Sequence, residues 1–154
     1  MSYVSAQHAC SAYELRQLEY VGEIWFSWRS HARSHMSAIR LPEHGDRILV
    51  LRREWLQMIL DGDKTMEVRS MPLKAGVYFL GCNGIIHGSC MLGDAVRIDT
   101  RRLWRSLFNH HRVSGYSLPY KRTFGLPVSD VRRARAVRYL HPRGAIGLVK
   151  FRQR

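Results

Sequence analysis

The pattern of apolar and polar positions divides the chain into two parts. In the first part, apolar residues recur every three or four positions over residues 11–29, which predicts one amphipathic helix. Residues 31–46 contain the helix breakers Pro42 and Gly45 and are predicted to be a linker. We therefore treat residues 1–46 as an N-terminal extension that either docks on the rest of the chain or binds a protein partner.

In the second part, residues 47–152, short stretches with the apolar periodicity of a strand alternate with stretches that have the periodicity of a helix. The apolar run at 48–51 predicts a strand, and residues 54–60 predict a helix that ends on Gly62, a residue suited to a left-handed cap. Residues 64–69 then alternate as a strand does, with successive side chains on opposite faces. This part is predicted to fold as one domain.

Further along, Asn83 and Gly84 predict a hairpin, because Asn-Gly is the favoured two-residue turn. The other predicted elements are short and bounded by turn residues: strands at 77–82, 85–92 with a continuation to about residue 98, 131–140 and 145–152, and a helix at 100–112. That helix is expected to bury Phe108 and to expose His110 and His111. These elements predict an α+β fold, a small and mostly antiparallel β-barrel with two or three peripheral helices.

The net charge of +13 is confined to the C-terminal part of the chain. Residues 1–96 hold ten basic and ten acidic residues, whereas residues 97–154 hold fifteen basic and two acidic residues. Of the 25 basic residues, 21 are arginine, whose planar guanidinium suits phosphate contacts and base stacking. A one-sided basic field attracts phosphate backbones, so we expect RNA or another nucleic acid as the partner. The arginines expected on phosphates are Arg101, Arg102, Arg105, Arg132, Arg133 and Arg135.

Several other classes of protein are disfavoured. No apolar run approaches the roughly 18 residues that span a bilayer, and the N-terminus shows no signal-peptide pattern, so no membrane partner is expected. Three cysteines without a CxxC pair favour reduced thiols, which predicts a cytoplasmic or nuclear location. His31 and His35 are four residues apart, but no carboxylate or cysteine follows at ligand spacing. We therefore expect neither a metal nor a cofactor.

Residues 62–69, GDKTMEVR, concentrate charge at the start of a predicted strand. Lys64 is either a compact cation that meets a phosphate or carbonyl oxygen, or an exposed side chain paired loosely with a neighbouring aspartate. Glu67 and Arg69 share a strand face with Thr65. They form either a structural ion pair or a recognition pair, in which Glu67 accepts a hydrogen bond from a base and Arg69 orients it or holds a phosphate.

The octapeptide fits the G-x-K-x-x-E-x-R signature of the ASCH domain family, a branch of the PUA-like barrels. The chain resembles that family over about residues 47–152. A strand and a helix carrying Trp55 precede the signature, as in the family. The stretch YLHPRGAIGLVKF at 139–151 is similar to the closing segment of ASCH proteins, and PYKRTFGL at 119–126 resembles the segment before it.

The resemblance implies a PUA-like barrel with a cleft beside the signature, in proteins tied to RNA metabolism or transcription coactivation. The residues expected to bind a ligand there are the polar residues of the signature, two aromatic residues that could stack on a base and a histidine of the closing segment: Trp55, Lys64, Thr65, Glu67, Arg69, Tyr78 and His141. For each aromatic residue, packing in the core is the alternative.

Whether the protein is an enzyme stays open at this level. Some ASCH members deacylate N4-acetylcytidine, and ribonuclease activity has been attributed to others. The alternative to an RNA-binding module is therefore a small hydrolase, with Lys64 and Glu67 as acid–base or electrostatic groups. The deacylase members resemble this chain at Lys64 but carry a nucleophilic threonine at the position of Glu67, which argues against the same covalent route.

Overall fold

The computed structural model describes residues 40–153, so the helix predicted over residues 11–29 and most of the predicted linker lie outside the described part. Within the described range the chain forms seven strands and three helices: β1 (Arg47–Val50), α1 (Arg53–Asp61), β2 (Met66–Arg69), β3 (Gly76–Cys82), β4 (Ile85–Leu92), β5 (Val96–Ile98), α2 (Arg101–Ser106), α3 (Phe108–His111), β6 (Thr123–Arg138) and β7 (Leu148–Lys150). None of these helices is long and apolar enough to cross a bilayer.

The strands form one curled, mixed sheet with the order β2-β6-β4-β3-β1-β7, and β5 pairs with β6 outside this path. The β1–β3 pair is parallel, with Leu49 opposite Leu80, and the other five pairings are antiparallel. The sheet is thus a half-barrel accompanied, in residues 40–153, by three helices. The predicted α+β class is confirmed.

Two local turns follow the sequence closely. Asn83 and Gly84 connect β3 to β4 with φ values of 51° and 75°, which is the left-handed pair that a type I′ hairpin requires. The end of α1 is a left-handed cap, because Gly62 has φ 82° and its N–H donates to the Ile59 carbonyl. The hairpin and the helix end are confirmed where they were predicted.

The predicted start of β6 is wrong by eight residues, because the strand begins at Thr123 and not at 131. Its first half contains Gly125 and Pro127, residues that disfavour a strand, and Asp130 has φ 44° at an irregular part of the ladder. This half is nevertheless held as a strand because β2 and β5 both pair with it. Tertiary pairing overrides local propensity here.

The helix predicted at 100–112 is divided in two at Leu107. Thr100 caps α2 by accepting a hydrogen bond from the Leu103 N–H at 3.2 Å. Phe108 is 45% exposed rather than buried, because the break at Leu107 turns α3 away from the stripe of α2. The buried residues of α2 pack instead with β2 and β5 in a second hydrophobic cluster: Met66, Val68, Val96, Ile98, Leu103, Trp104 and Leu107.

Candidate functional site

The signature occupies the connection from α1 to β2 and the whole of β2. The Lys64 N–H donates to the Met58 carbonyl, and the Thr65 carbonyl accepts from the Val128 N–H. Within residues 40–153, β2 pairs only with β6, with Glu67 opposite Leu126. The charged residues of the signature are therefore carried by a strand at the end of the sheet order.

Lys64 is a buried cation and not an exposed one. Its side chain is 1% exposed, and its Nζ donates to the His111 carbonyl at 2.6 Å and lies 3.5 Å from Glu67 Oε2. The same Nζ lies 5.1 Å from the centre of the Trp55 ring. Burial lowers the pKa of Lys64 from its ordinary value, and the neighbouring Glu67 carboxylate opposes that shift. The alternative of a loose surface pair with a neighbouring aspartate is wrong.

Glu67 lies between two cations. Its side chain is 7% exposed, and Oε1 is 2.9 Å from Arg69 Nε, although that N–H does not point at the oxygen. The terminal nitrogens of Arg69 donate to the carbonyls of Val50 at 2.9 Å and Ile146 at 3.4 Å. Arg69 therefore connects β2 to the end of β1 and to the segment before β7, which is the architectural role that the sequence left open.

The histidine pair of α3 holds the start of the signature in place, a contact that the sequence did not predict. His110 accepts the Thr65 N–H at its carbonyl and contacts Thr65 Oγ1 through Nδ1, each at 3.0 Å. The prediction that His111 is a surface residue is wrong, because it is fully buried and stacked on Trp104 with ring centres 3.7 Å apart. Its carbonyl is the acceptor for Lys64, so α3 orients that ammonium.

The protonation state of His111 follows from its neighbours. Nδ1 accepts the Val113 N–H at 3.0 Å, so the ring proton is on Nε2, which lies 2.9 Å from the Trp104 carbonyl. Burial lowers the pKa of His111, and the Lys64 cation acts in the same direction. The imidazole is therefore held neutral, as a structural group.

A cleft of about 690 Å³ opens beside the signature. Five of the predicted ligand-binding residues line it: Trp55, Lys64, Glu67, Arg69 and His141. His141 comes from the segment between β6 and β7, and its Nδ1 lies 3.1 Å from the Tyr139 hydroxyl. The β3–β4 turn contributes Asn83, and Tyr120 and Ile146 also border the cleft. Four separate parts of the chain thus meet at one site.

Two arginines in the cleft were missed by the sequence analysis. Arg52 is the residue before α1, and Arg53 is the first residue of the helix. Both are exposed and line the cleft. Within residues 40–153 neither has an ion-pair partner. With Lys64 and Arg69 they give the cleft four cationic side chains against the one carboxylate of Glu67, a net charge of +3. The missed signal was their position just after β1, next to the signature in space but nine and ten residues from it in sequence.

Two residues of the predicted ligand set do not line the cleft. Tyr78 is 1% exposed in the core, and its hydroxyl donates to the Lys74 carbonyl at 2.8 Å and accepts from Arg47 at 2.9 Å. It therefore cannot stack on a base in the cleft. Thr65 is half-buried and directed to His110, so its role is to hold the backbone of the signature.

The arginines predicted on phosphates lie outside the cleft and fall into two groups. Arg101, Arg102 and Arg105 are exposed on α2. On β6, Arg132 pairs with Asp130 at 3.0 Å, Arg133 pairs with Asp61, and Arg135 is exposed. The α2 group is thus the better placed for phosphates, because two of the three β6 arginines already have a carboxylate partner.

Solved structures resemble this domain, although no protein-family profile and no curated protein matches the chain. The crystal structure of ASCH from Zymomonas mobilis aligns with a TM-score of 0.57 and 18% identity, over 71% of this chain and 90% of that one. A structure of a single-residue variant of the same protein aligns with a TM-score of 0.58 and 19% identity, over 73% and 92% of the two chains. The domain has an ASCH-type fold. At this identity the likeness concerns the fold alone.

Proposed function

We propose that this ASCH-type domain binds single-stranded RNA and takes one nucleotide into the cleft. The observation that carries the proposal is the composition of the cleft, which combines a net charge of +3, a buried carboxylate and the half-buried ring of Trp55. Positive charge attracts phosphate, a carboxylate accepts hydrogen bonds from an exocyclic amine, and an aromatic ring stacks on any base.

Glu67 is the proposed reader of the base. Each of its oxygens faces one cation, Oε1 towards Arg69 and Oε2 towards Lys64, but a carboxylate offers about four lone-pair sites. Acceptor capacity therefore remains for an amine such as that of cytosine. Trp55 is the proposed stacking surface, and its ring is held beside the Lys64 ammonium at the cleft.

Arg52 and Arg53 are the proposed phosphate contacts at the cleft. They are exposed and have no ion-pair partner in residues 40–153, so contact with a phosphate does not require an existing pair to break. The arginines of α2 would extend the phosphate contacts beyond the cleft. Each phosphate neutralised on a single strand contributes about 0.7 to the slope of log affinity against log salt.

The test is a titration of fluorescent single-stranded RNA with the full chain at several salt concentrations. The variant Arg52→Ala/Arg53→Ala is compared with Arg138→Ala/Arg152→Ala, a matched control that removes the same two charges from exposed positions outside the cleft. We expect the double variant to weaken binding and lower the salt slope by about 1.4, two phosphates at about 0.7 each. An equal effect of the two variants would show that RNA responds only to total charge, and the proposed cleft site would be rejected.

A hydrolase acting on RNA or on an N4-acylated cytidine is the second candidate. It is supported by the burial of Lys64, since a lowered pKa raises the neutral fraction of an amine that could act as a base. The RNA from the titration is run on a gel, and acetate release from N4-acetylcytidine is measured beside it. Turnover by the wild-type protein that disappears in Lys64→Met would establish that the protein is an enzyme. If the wild-type protein leaves both the RNA and the nucleoside intact, the hydrolase is rejected and the RNA-binding proposal remains.

For the N-terminal extension we propose partner binding, one of the two roles that the sequence leaves open. Residues 11–29 are predicted to be an amphipathic helix, and deletion of residues 1–35 should remove a protein partner while RNA affinity is kept. Loss of RNA affinity in the same deletion would assign the extension to the RNA site instead. The cytoplasmic or nuclear location also stays a prediction, tested by imaging a tagged chain.

A further inference from the structure

The region that leads away from the cleft is a stretch of chain without a single acidic residue. Residues 100–122, here called the basic segment, contain six basic residues and no aspartate or glutamate. The segment comprises α2, α3 and the loop 113–122 before β6. Its basic residues are all exposed: Arg101, Arg102, Arg105, Arg112, Lys121 and Arg122. No carboxylate of its own therefore neutralises this surface.

The loop of the basic segment presents aromatic rings to solvent. Tyr116 is 79% exposed and Tyr120 is 44% exposed. The Arg105 guanidinium lies 5.6 Å from the centre of the Tyr116 ring, so a cation and a π-face occupy the same patch. An exposed aromatic ring beside a basic side chain is an arrangement that single-strand-binding proteins use to stack bases.

The loop is also fixed to the domain and does not simply project from it. The Trp104 Nε1–H donates to the Gly115 carbonyl at 3.2 Å, next to Tyr116. Thr123 Oγ1 donates to the Tyr120 carbonyl at 3.0 Å, and Leu118 packs on the second hydrophobic cluster. Rings held on an anchored backbone lose less conformational freedom when a partner binds.

The patch is continuous with the cleft. Tyr120, together with Val113 and Pro119 from the same loop, lines the cleft, and Tyr116 is four residues from Tyr120. The Cα atoms of the two tyrosines are therefore within about 14 Å of each other, the full reach of four residues. A strand that leaves the cleft past Tyr120 is therefore within reach of Tyr116 and of Arg105 beside it.

We propose that the basic segment is the path of the RNA strand outside the cleft. On this path unpaired bases stack on Tyr120 and then on Tyr116, while Arg105 and its neighbours on α2 neutralise the phosphates. Interleaved aromatic and basic side chains on one surface are the arrangement by which proteins hold single strands, because every base has a π-face and every linkage has a charge. The occupant is single-stranded, since bases paired in a duplex do not expose their faces to a surface ring.

The inference rests on the proposed function and is tested so that the two can fail separately. Single-stranded RNAs of about two and about eight nucleotides are titrated with the full chain by fluorescence anisotropy. For Tyr116→Ala we expect a Kd about fivefold or more higher for the longer RNA and little change for the shorter one. Tyr116→Phe keeps the ring and should restore the wild-type Kd. Val77→Ala is the matched control, because Val77 is 46% exposed and outside both the cleft and the basic segment.

Each outcome has one interpretation. If both RNAs bind and Tyr116→Ala changes neither Kd, the path is overturned and the cleft proposal stands. If Tyr116→Ala and Tyr116→Phe weaken the longer RNA equally, the hydroxyl and not the stacking ring makes the contact, and the proposal of a stacking path is overturned. If wild-type protein binds neither RNA, the proposed function and the inference fall together. A thermal melt of each variant confirms that it is folded.

Discussion

Replacing Glu67 by glutamine should destabilise the fold, because the substitution leaves two cations facing each other across a buried site. Glu67 Oε2 is 3.5 Å from Lys64 Nζ, and Oε1 is 2.9 Å from Arg69 Nε. With an effective dielectric constant near 20, these separations correspond to gross attractions of about 5 and about 6 kcal/mol. Much of that attraction is offset by the cost of removing the charges from water.

The net loss is expected to be near the lower end of the range for a broken buried ion pair. Removing one partner of such a pair costs about 3–5 kcal/mol. Glutamine keeps the shape of the side chain, and Arg69 keeps its bonds to the Val50 and Ile146 carbonyls. We therefore expect Glu67→Gln to lower the free energy of unfolding by about 3 kcal/mol.

A double-mutant cycle with Lys64→Met tests the reasoning. Lys64→Met leaves the His111 carbonyl without its donor and should cost about 2 kcal/mol on its own. The double variant no longer buries the Lys64 ammonium without a counter-charge, so it should be at least about 1 kcal/mol more stable than the sum of the single effects implies. Urea unfolding followed by circular dichroism gives each value, provided the m-value is unchanged.

The control for this cycle is the exposed pair of Arg97 and Asp99, where Asp99→Asn should cost less than about 0.5 kcal/mol. If Glu67→Gln is as mild as Asp99→Asn, the buried charge network does not stabilise the fold. If the Lys64 and Glu67 substitutions are additive within about 0.5 kcal/mol, the two groups are not coupled. Either result would refute the account of the site given above.

Three further predictions concern stability and are checked by urea unfolding. Burial lowers the pKa of His111 below its ordinary value of 6.5, so the unfolded chain binds the proton first and the free energy of unfolding falls as the pH drops below 6.5. In His111→Phe this fall with pH should be shallower, and an unchanged pH dependence would contradict the prediction. Gly88→Ala places a methyl group against the Arg132 backbone carbonyl and should lower the free energy of unfolding by about 1–3 kcal/mol. No change in stability would mean that the β4–β6 ladder, whose register is irregular at Gly88, shifts to make room. Asn83→Val puts a β-branched residue at φ 51° and should cost about 1–2 kcal/mol, while Asn83→Gly should be nearly neutral.

The elements that the sequence predicted well are those determined by neighbouring residues. The Asn83–Gly84 turn and the end of α1 at Gly62 each follow from residues within one or two turns of chain. The signature likewise led to Lys64 and Glu67, which share the cleft. Local chemistry was sufficient in each of these places.

The parts that the sequence did not predict depend on partners far along the chain. Pro127 stands in β6 because β2 pairs with it from sixty residues earlier. His111 is buried because Trp104 and the Lys64 ammonium surround it, although its neighbours Arg112 and His110 suggest a surface position. Arg53 lines the cleft because the signature, the β3–β4 turn and the segment before β7 all meet at the start of α1. No local pattern carries this information.

The pairing of β2 has a consequence for the time at which the cleft forms during synthesis. β2 has β6 as its sheet partner, and Glu67 must wait for Leu126, 59 residues later. At about 5–20 residues per second, the ribosome needs roughly 3–12 s to add that length. During that interval Lys64 and Glu67 cannot be buried as they are in the complete domain, because the paired part of β6 does not yet exist. The cleft is therefore a late product of folding, and it is complete only when the domain is nearly complete.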